Sequence, residues 1–206
     1  MHPDAVLVML SIKGVATPGV LEAALGAEAA VVAGELARLE RDGSASGSPA
    51  GWRLSPDGRS AATTVIAHER ATAGFADMDA SYETFVALND RFKSTIMAWQ
   101  LRDVGGTLVP NDHADAAYDA SVLSDIAAIH RDLVEALAPL AARVPRLATY
   151  RDRFARALQR AQQGERRYVA APIIESYHTV WFEFHEDLIR LSGKTRASEA
   201  AAGRGA

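Results

Sequence analysis

Residues 51–61 read GWRLSPDGRSA, and the fold of the first third of the chain turns on them. Trp52, Arg53 and Leu54 read as a short strand. Pro56-Asp57-Gly58 follows as a turn, because proline fixes φ and glycine takes backbone angles that other residues avoid. From Arg59 to about Ala73 the chain becomes alanine-rich and helical. A short hairpin followed at once by a helix is a junction, and the residues upstream say of what.

Asp4 to Lys13 reads as a first helix with Val6, Leu7 and Leu10 on its buried side, stopped by Gly14. Thr17-Pro18 opens a second, since threonine caps well and proline is tolerated at the first helical position. That helix, PGVLEAAL, stops at Gly26. Ala27 to Asp42 forms a third, with Val31 or Val32, Leu36 and Leu39 as its apolar stripe and Gly43 as its terminator. Two short helices joined by a glycine-containing turn make the helix-turn-helix pattern. Ser44 to Gly51, rich in Ser, Gly and Pro, reads as a loop.

The segment TPGVLEAALGAEAAVVAGELARLERDG, followed by GWRLSPDGRSA, resembles winged helix-turn-helix transcriptional regulators of the broad MarR-like class. The resemblance covers about residues 5 to 65, and Leu54, Ser55, Pro56, Gly58 and Arg59 are its most specific part. It implies a recognition helix over Ala27 to Asp42, a wing between Ser44 and Leu54, and a double-stranded DNA operator as partner. Arg38, Arg41, Arg53 and Arg59 are then the candidate DNA contacts, arginine being suited to phosphate and to bidentate contact with guanine. A homodimer would match a two-fold operator. The first half of the recognition helix, AEAAVVAGEL, holds no basic residue and carries Glu28 and Glu35 instead.

From Met78 the texture changes. Tyr82, Phe85, Leu88, Phe92, Ile96 and Trp99 recur at helical spacing to about Arg102. Asp103 to Pro110 reads as a loop around Gly105-Gly106. Asn111 caps a long helix carrying Val122, Ile126, Ile129, Leu133, Leu137 and Leu140, which Pro139 should kink or end. Leu147, Tyr150, Phe154 and Leu158 mark a third helix stopped near Gly164, and Pro172 to Leu191 a fourth. Four amphipathic stripes joined by short loops bury one another as a bundle. The fold class expected is therefore mainly α: an N-terminal winged helix-turn-helix (three helices plus a short β hairpin, residues 1–73) and a C-terminal antiparallel helical bundle (78–192). The bundle serves for dimerisation and effector sensing, and 193–206 form a disordered tail.

Within the fourth helix, ESYHTVWFEFHED sets His178 and His185 seven residues apart, on one face with Trp181 and Phe182 between them. They are either hydrogen-bonded core histidines or the lining of a pocket. Glu183 and Asp187 lie on the opposite face. In NDHADAAYD, Asp112, Asp115 and Asp119 are spaced to share a face with His113 beside them, either as helix-start acids or as part of a metal site. His113, His178 and His185, with a carboxylate, are a chemically reasonable set for a divalent metal. Asn89 interrupts the apolar stripe of the first bundle helix. With Trp99, Gln100, Arg102, Tyr177 and His178 it frames a candidate small-molecule pocket between helices, which Trp181 and His185 extend. Arg143, Arg146, Arg151, Arg153, Arg156, Arg160, Arg166 and Arg167 crowd one segment, as a solvated face or as a site for an anionic partner.

The 206 residues carry a formal net charge of −4 and no cysteine. Disulfides, thiolate metal sites and a cysteine nucleophile are excluded. No apolar run approaches the roughly 18 residues of a membrane span, and Ala5–Ile12 is too short and lacks the basic leader of a secretory signal. A cytoplasmic protein follows as the expectation. There is no phosphate loop, no Gly-x-Ser-x-Gly elbow and no His-Glu-x-x-His, so no recognised catalytic motif. Three functions are open: a DNA-binding transcriptional regulator with an effector-sensing bundle, a protein whose winged helix docks a partner while the bundle binds a small molecule or metal, and a helical-bundle metalloenzyme.

Overall fold

The computed structural model describes residues 4–202, except for the side chains of residues 75–77. Among the described residues the chain is mainly helical, with two small antiparallel β-hairpins. Helix α1 (Ala5–Lys13) is apolar all round, and Ala5 to Leu10 are every one buried. It is therefore a central post. Helices α2 (Pro18–Leu25), α3 (Ala29–Arg41) and α4 (Pro56–Ala73) all pack on it. Thr17 caps α2 by accepting the Val20 N–H, with Pro18 in the first turn. Val32, Leu36 and Leu39 bury the inner side of α3.

Strands β1 (Ala45–Ser48) and β2 (Gly51–Leu54) pair from Ala45↔Leu54 to Ser48↔Gly51. The stretch expected as a loop is thus half strand. ASGS has no apolar alternation to announce it, so only its pairing makes it one. Ala16 adds a further bridge, exchanging backbone hydrogen bonds with Trp52 at 3.0 and 2.8 Å. Gly51 sits at φ +125°, where a Cβ would lie 2.8 Å from the Ala16 backbone.

Gly58 has a different role from the turn that the sequence suggests. Helix α4 begins at Pro56, and Ser55 caps it by accepting the Gly58 N–H at 3.0 Å. A Cβ on Gly58 would fall 2.0 Å from the Ser44 carbonyl oxygen. The glycine lets the first turn of the helix lie directly on the hairpin backbone.

Helix α5 (Phe75–Gln100) follows after Gly74, and α6 (Ala116–Arg143), α7 (Ala148–Gln162) and α9 (Tyr177–Leu191) complete the helical body. Each touches the next, and α9 closes back on α5. A 3-10 turn (Pro145–Leu147) joins α6 to α7, and the four-residue α8 (Arg167–Ala170) precedes α9.

Five expectations change here. Asp103–Pro110 is not a plain loop: β3 (Leu101–Val104) and β4 (Thr107–Pro110) form a hairpin. Its turn residues Gly105 and Gly106 both have positive φ, as a two-residue turn of matching twist requires. The cap of α6 is Asp115, whose carboxylate accepts from Ala117 and Tyr118, not Asn111. Pro139 neither ends α6 nor stops its stripe, because Pro139 and Glu135 both face water, where the freed carbonyl is solvated. The fourth body helix starts at Tyr177 rather than Pro172, capped by Ser176, because Ile173 holds a left-handed φ of 75°. Residues from 193 onward are not a disordered tail as far as they are described. Thr195 and Ser198 cap each other to start α10 (Arg196–Ala201), and buried Glu199 accepts a 2.6 Å hydrogen bond from the Tyr82 hydroxyl. Residues 203–206 lie outside the described residues.

One apolar core runs from α1 through α9, and a buried ionic layer ties the N-terminal elements to it. Asp187 on α9 is fully buried and takes a two-pronged contact from Arg146, which also meets Glu69 of α4 at 2.9 Å. The Tyr150 hydroxyl donates to the same Asp187 carboxylate at 3.1 Å. Beside it, Arg153 is enclosed by Glu175 and Glu183, and Lys13 of α1 reaches both carboxylates at 2.9 and 2.6 Å. Burial alone would raise the Glu175 carboxyl, but Arg153 and Lys13 outweigh it and hold it below the ordinary range. Of the crowded arginines, Arg153 is buried and Arg146 and Arg160 partly so, whereas Arg143, Arg151, Arg156, Arg166 and Arg167 are exposed. Arg143 donates to the Ala73 carbonyl and Arg156 to that of Ala23, while Arg160 pairs with Glu165.

Candidate ligand site

Between α5 and α9 lies a cavity of about 160 Å³. Asn89, Phe92, Lys93, Ile96, Met97 and Gln100 line it from α5, and His178, Trp181, Phe182 and His185 from α9. Both sets step by three and four residues, so each is one helical face. Trp181 forms the inner wall. It stacks on Phe92 with ring centres 4.1 Å apart and meets Phe85 at 5.2 Å. Its indole N–H donates to the Asn89 Oδ1 at 2.9 Å. An indole nitrogen can only donate, so this bond fixes the Asn89 amide with its oxygen toward Trp181. The NH₂ group of Asn89 has no partner among the described residues. Met97 and Phe182, 50 % and 40 % exposed, form the outer lip.

His185 is the exceptional group. It is 1 % exposed, its ring lies 5.0 Å from that of Phe85, and neither ring nitrogen has a hydrogen-bond partner. A buried polar group left unsatisfied costs on the order of 1–3 kcal/mol, and native proteins seldom keep one without a use. Burial pushes the imidazole down to about 4, and the positive charges of Arg196 and Lys93 push the same way. The ring is therefore neutral near pH 7, with one nitrogen able to donate and the other to accept. His178, half-buried, is also lowered by burial.

Of the residues expected to frame a pocket, the structure brings together Asn89, Gln100, His178, Trp181 and His185. Trp99, Arg102 and Tyr177 go elsewhere. Trp99 faces the start of α6, where its carbonyl accepts from Asn111 and its ring lies 4.5 Å from that of His113. Arg102 pairs with Asp115 at 3.3 Å and lies over the Tyr118 ring. Tyr177 points inward to Phe154 and to His130. Trp99 lies off the Asn89–Gln100 face of α5, and Arg102 lies beyond the end of that helix, on β3. Lys93 and Met97 line the cavity and were not anticipated, although stepping four and eight residues from Asn89 finds both.

The expected metal set does not assemble. His113 is held by Asp119, with its Nδ1 3.0 and 3.1 Å from the two carboxylate oxygens, and by Asn111. That cluster sits at the start of α6, whereas His178 and His185 face α5. Among the described residues no group of three His, Cys, Asp or Glu side chains is arranged to hold a metal ion. Asp112 and Asp115 serve backbone N–H groups at the same helix start.

The candidate DNA contacts divide. Arg38 is engaged by Glu35 at 2.9 Å and by Asp42 at 3.4 Å, and Arg59 donates to the Leu54 carbonyl at 2.9 Å. Arg41 and Arg53 are exposed. The outward side of α3 is Ala29, Ala30, Val31, Ala33, Gly34 and Ala37, followed by Glu40 and Arg41. Its beginning borders a cleft of about 600 Å³ whose other wall is Pro145, Arg146 and Thr149 of the helical body.

No protein-family model matches the chain, and no curated protein or solved structure is significantly similar to it. No helix among the described residues is long and apolar enough to cross a membrane.

Proposed function

We propose that this protein is a small-molecule-responsive regulator: an N-terminal winged helix (α1–α3, the β1–β2 wing and the Ala16 bridge) carried on an antiparallel four-helix bundle whose α5–α9 groove binds the effector. The observation that carries the reading is His185, buried in an aromatic cavity with both nitrogens unmet. A cavity of about 150 Å³ takes a molecule the size of benzene, so the effector is no larger than about one ring. The winged helix is the output surface, and it acts by docking a partner protein. Small apolar side chains along outward α3 support this, because they offer a close-packing surface and almost nothing that reads a base edge.

DNA binding is the second reading, favoured by exposed Arg41 at the end of α3 and Arg53 on the wing. A homodimer would then present two such pairs to a two-fold operator. A titration with DNA flanking the protein's own coding region decides between them. Binding that weakens as salt rises and is lost in R41A/R53A supports the operator, and absence of binding at low salt removes it.

The effector reading is tested by a thermal-shift screen of single-ring and branched-chain compounds against wild type and His185→Phe. Compounds that stabilise wild type and leave the variant unmoved support it. A library whose every active compound acts equally on both refutes it.

A further inference from the structure

The lining of the α5–α9 cavity says which compounds to expect, given the effector reading above. Charge of either sign finds its partners there already taken. Among the described residues no aspartate or glutamate lines the cavity. The acids beside it are engaged: Glu186 by Arg190 and Arg196, both at 2.6 Å, and Glu199 by Tyr82. Lys93 does line the cavity but is itself engaged, with Asp90 at 3.9 Å among its contacts. His178 and His185 are both lowered by burial and neutral near pH 7. A charged ligand would lose its hydration and gain no unspent counter-charge.

The lining keeps neutral polarity in reserve instead. The Asn89 oxygen accepts from the Trp181 indole, so the NH₂ group is the side of that amide still to be met. An indole never accepts, so this orientation cannot flip without losing the bond. Neither nitrogen of His185 has a partner, and a neutral imidazole sets a donor on either nitrogen by its choice of tautomer. Two donors from facing helices thus border one apolar slot walled by Phe92, Ile96, Met97 and Trp181. A carbonyl oxygen has two lone pairs, one for each donor, and brings no hydrogen of its own to satisfy. We infer that the ligand is an uncharged single-ring carbonyl compound, a cyclic ketone or lactam, whose oxygen accepts from the Asn89 NH₂ and the His185 N–H.

Ligand-detected NMR titration of the full chain tests this with four probes built on one ring. Cyclohexanone carries the oxygen, methylenecyclohexane replaces it with CH₂ at nearly the same shape, and cyclohexylamine and cyclohexanecarboxylate carry charge. Asn89→Leu and His185→Leu should each weaken cyclohexanone about tenfold, the loss of one buried hydrogen bond, and leave methylenecyclohexane as tight or tighter. Both charged probes should bind wild type at least about tenfold more weakly than cyclohexanone. Cyclohexanone unmoved by the two variants, or a charged probe that binds more tightly than the ketone, overturns the carbonyl while leaving the pocket intact. Variants that lose the hydrocarbon together with the ketone also overturn it, because Asn89 and His185 would then shape the slot rather than meet an oxygen. If no probe binds and the compound screen finds nothing that depends on His185, the effector reading falls as well.

Discussion

Replacing His185 with phenylalanine should flatten part of the acid sensitivity of folding. The ordinary imidazole titrates near 6.5 and the folded-state group at about 4. Below about pH 6.5 the unfolded chain therefore takes up a proton at this position that the folded chain refuses. Each unit of acidification then favours unfolding by up to about 1.4 kcal/mol, and the loss ends near pH 4, where the folded form also protonates. Two and a half units amount to about 3 kcal/mol across the window. His130 and His178 are lowered by burial in the same direction, but they remain in the variant and cancel in the difference. At neutral pH the exchange should be nearly neutral. It removes two unsatisfied buried nitrogens, a gain of about 1–3 kcal/mol, and adds ring volume at a cost of about 1–3 kcal/mol that the adjacent cavity reduces. The assay is urea unfolding of both proteins at pH 7.5, 6.5, 5.5 and 4.5. The variant should become the more stable of the two as pH falls. A stability difference that stays constant across this range would refute a solvent-excluded, unpartnered His185.

Three further perturbations probe the frame around the site. Asp187→Ala leaves Arg146 charged and enclosed, and should cost about 3–5 kcal/mol in chemical denaturation, against under about 1 kcal/mol for Asp132→Ala at the exposed Arg91 pair; equal losses would show that Asp187 is not buried. Gly58→Ala should destabilise by about 1–3 kcal/mol although alanine is the better helix former, and a stabilised variant would mean that α4 does not lie on Ser44. Glu199→Ala strands the Tyr82 hydroxyl and should cost about 1–3 kcal/mol, with faster hydrogen exchange in α5 around Tyr82; unchanged exchange would detach α10 from the body.

Helix placement was legible wherever burial is periodic. The stripes of α3, α5, α6 and α7 read from apolar spacing alone, and Thr17-Pro18 marks a helix start by local chemistry, whereas Ser55-Pro56, which caps α4 in the same way, reads as a turn because Asp57-Gly58 follows it. The hairpins were harder because nothing in them alternates. β1 is ASGS, and Val104 and Leu108 of the second hairpin point outward, 55 % and 58 % exposed. The pocket was half legible for a related reason. Asn89 and His185 stand out as polar residues on apolar stripes, but which neighbours share their face depends on helical register, which is where Trp99 was misplaced, while Arg102 was misplaced because the helix ends at Gln100 and β3 begins. The Arg146–Asp187 pair spans 41 residues. Local periodicity carries no trace of it, and charged residues read one at a time look like solvent-facing ones. The short α10 carried a signal in the Thr195–Ser198 spacing, which the alanine and glycine around it obscured.

Helix α9 is where these two kinds of burial meet. One face leaves His185 unsatisfied beside a cavity. The opposite face commits Glu183 and Asp187 to Lys13, Arg146 and Arg153, and Arg190 donates to Ser11 on α1. Buried ion pairs contribute little net stability, because desolvation offsets most of their attraction, but breaking one is costly. They therefore fix geometry more than they add stability. A displacement of α9 that separated Asp187 from Arg146 would strand a fully buried charge, so α9, α1 and the Arg146 end of α7 are constrained to move together. A ligand shifts such an assembly only by as much as its affinity differs between two positions of α9. On the proposed reading, the contacts that set this difference are those of His185 and Trp181, the cavity residues on α9 packed most deeply against α5. The same helix holds α1 through Lys13 and Ser11, which gives the groove a physical connection to α1 and, through α1, to α3.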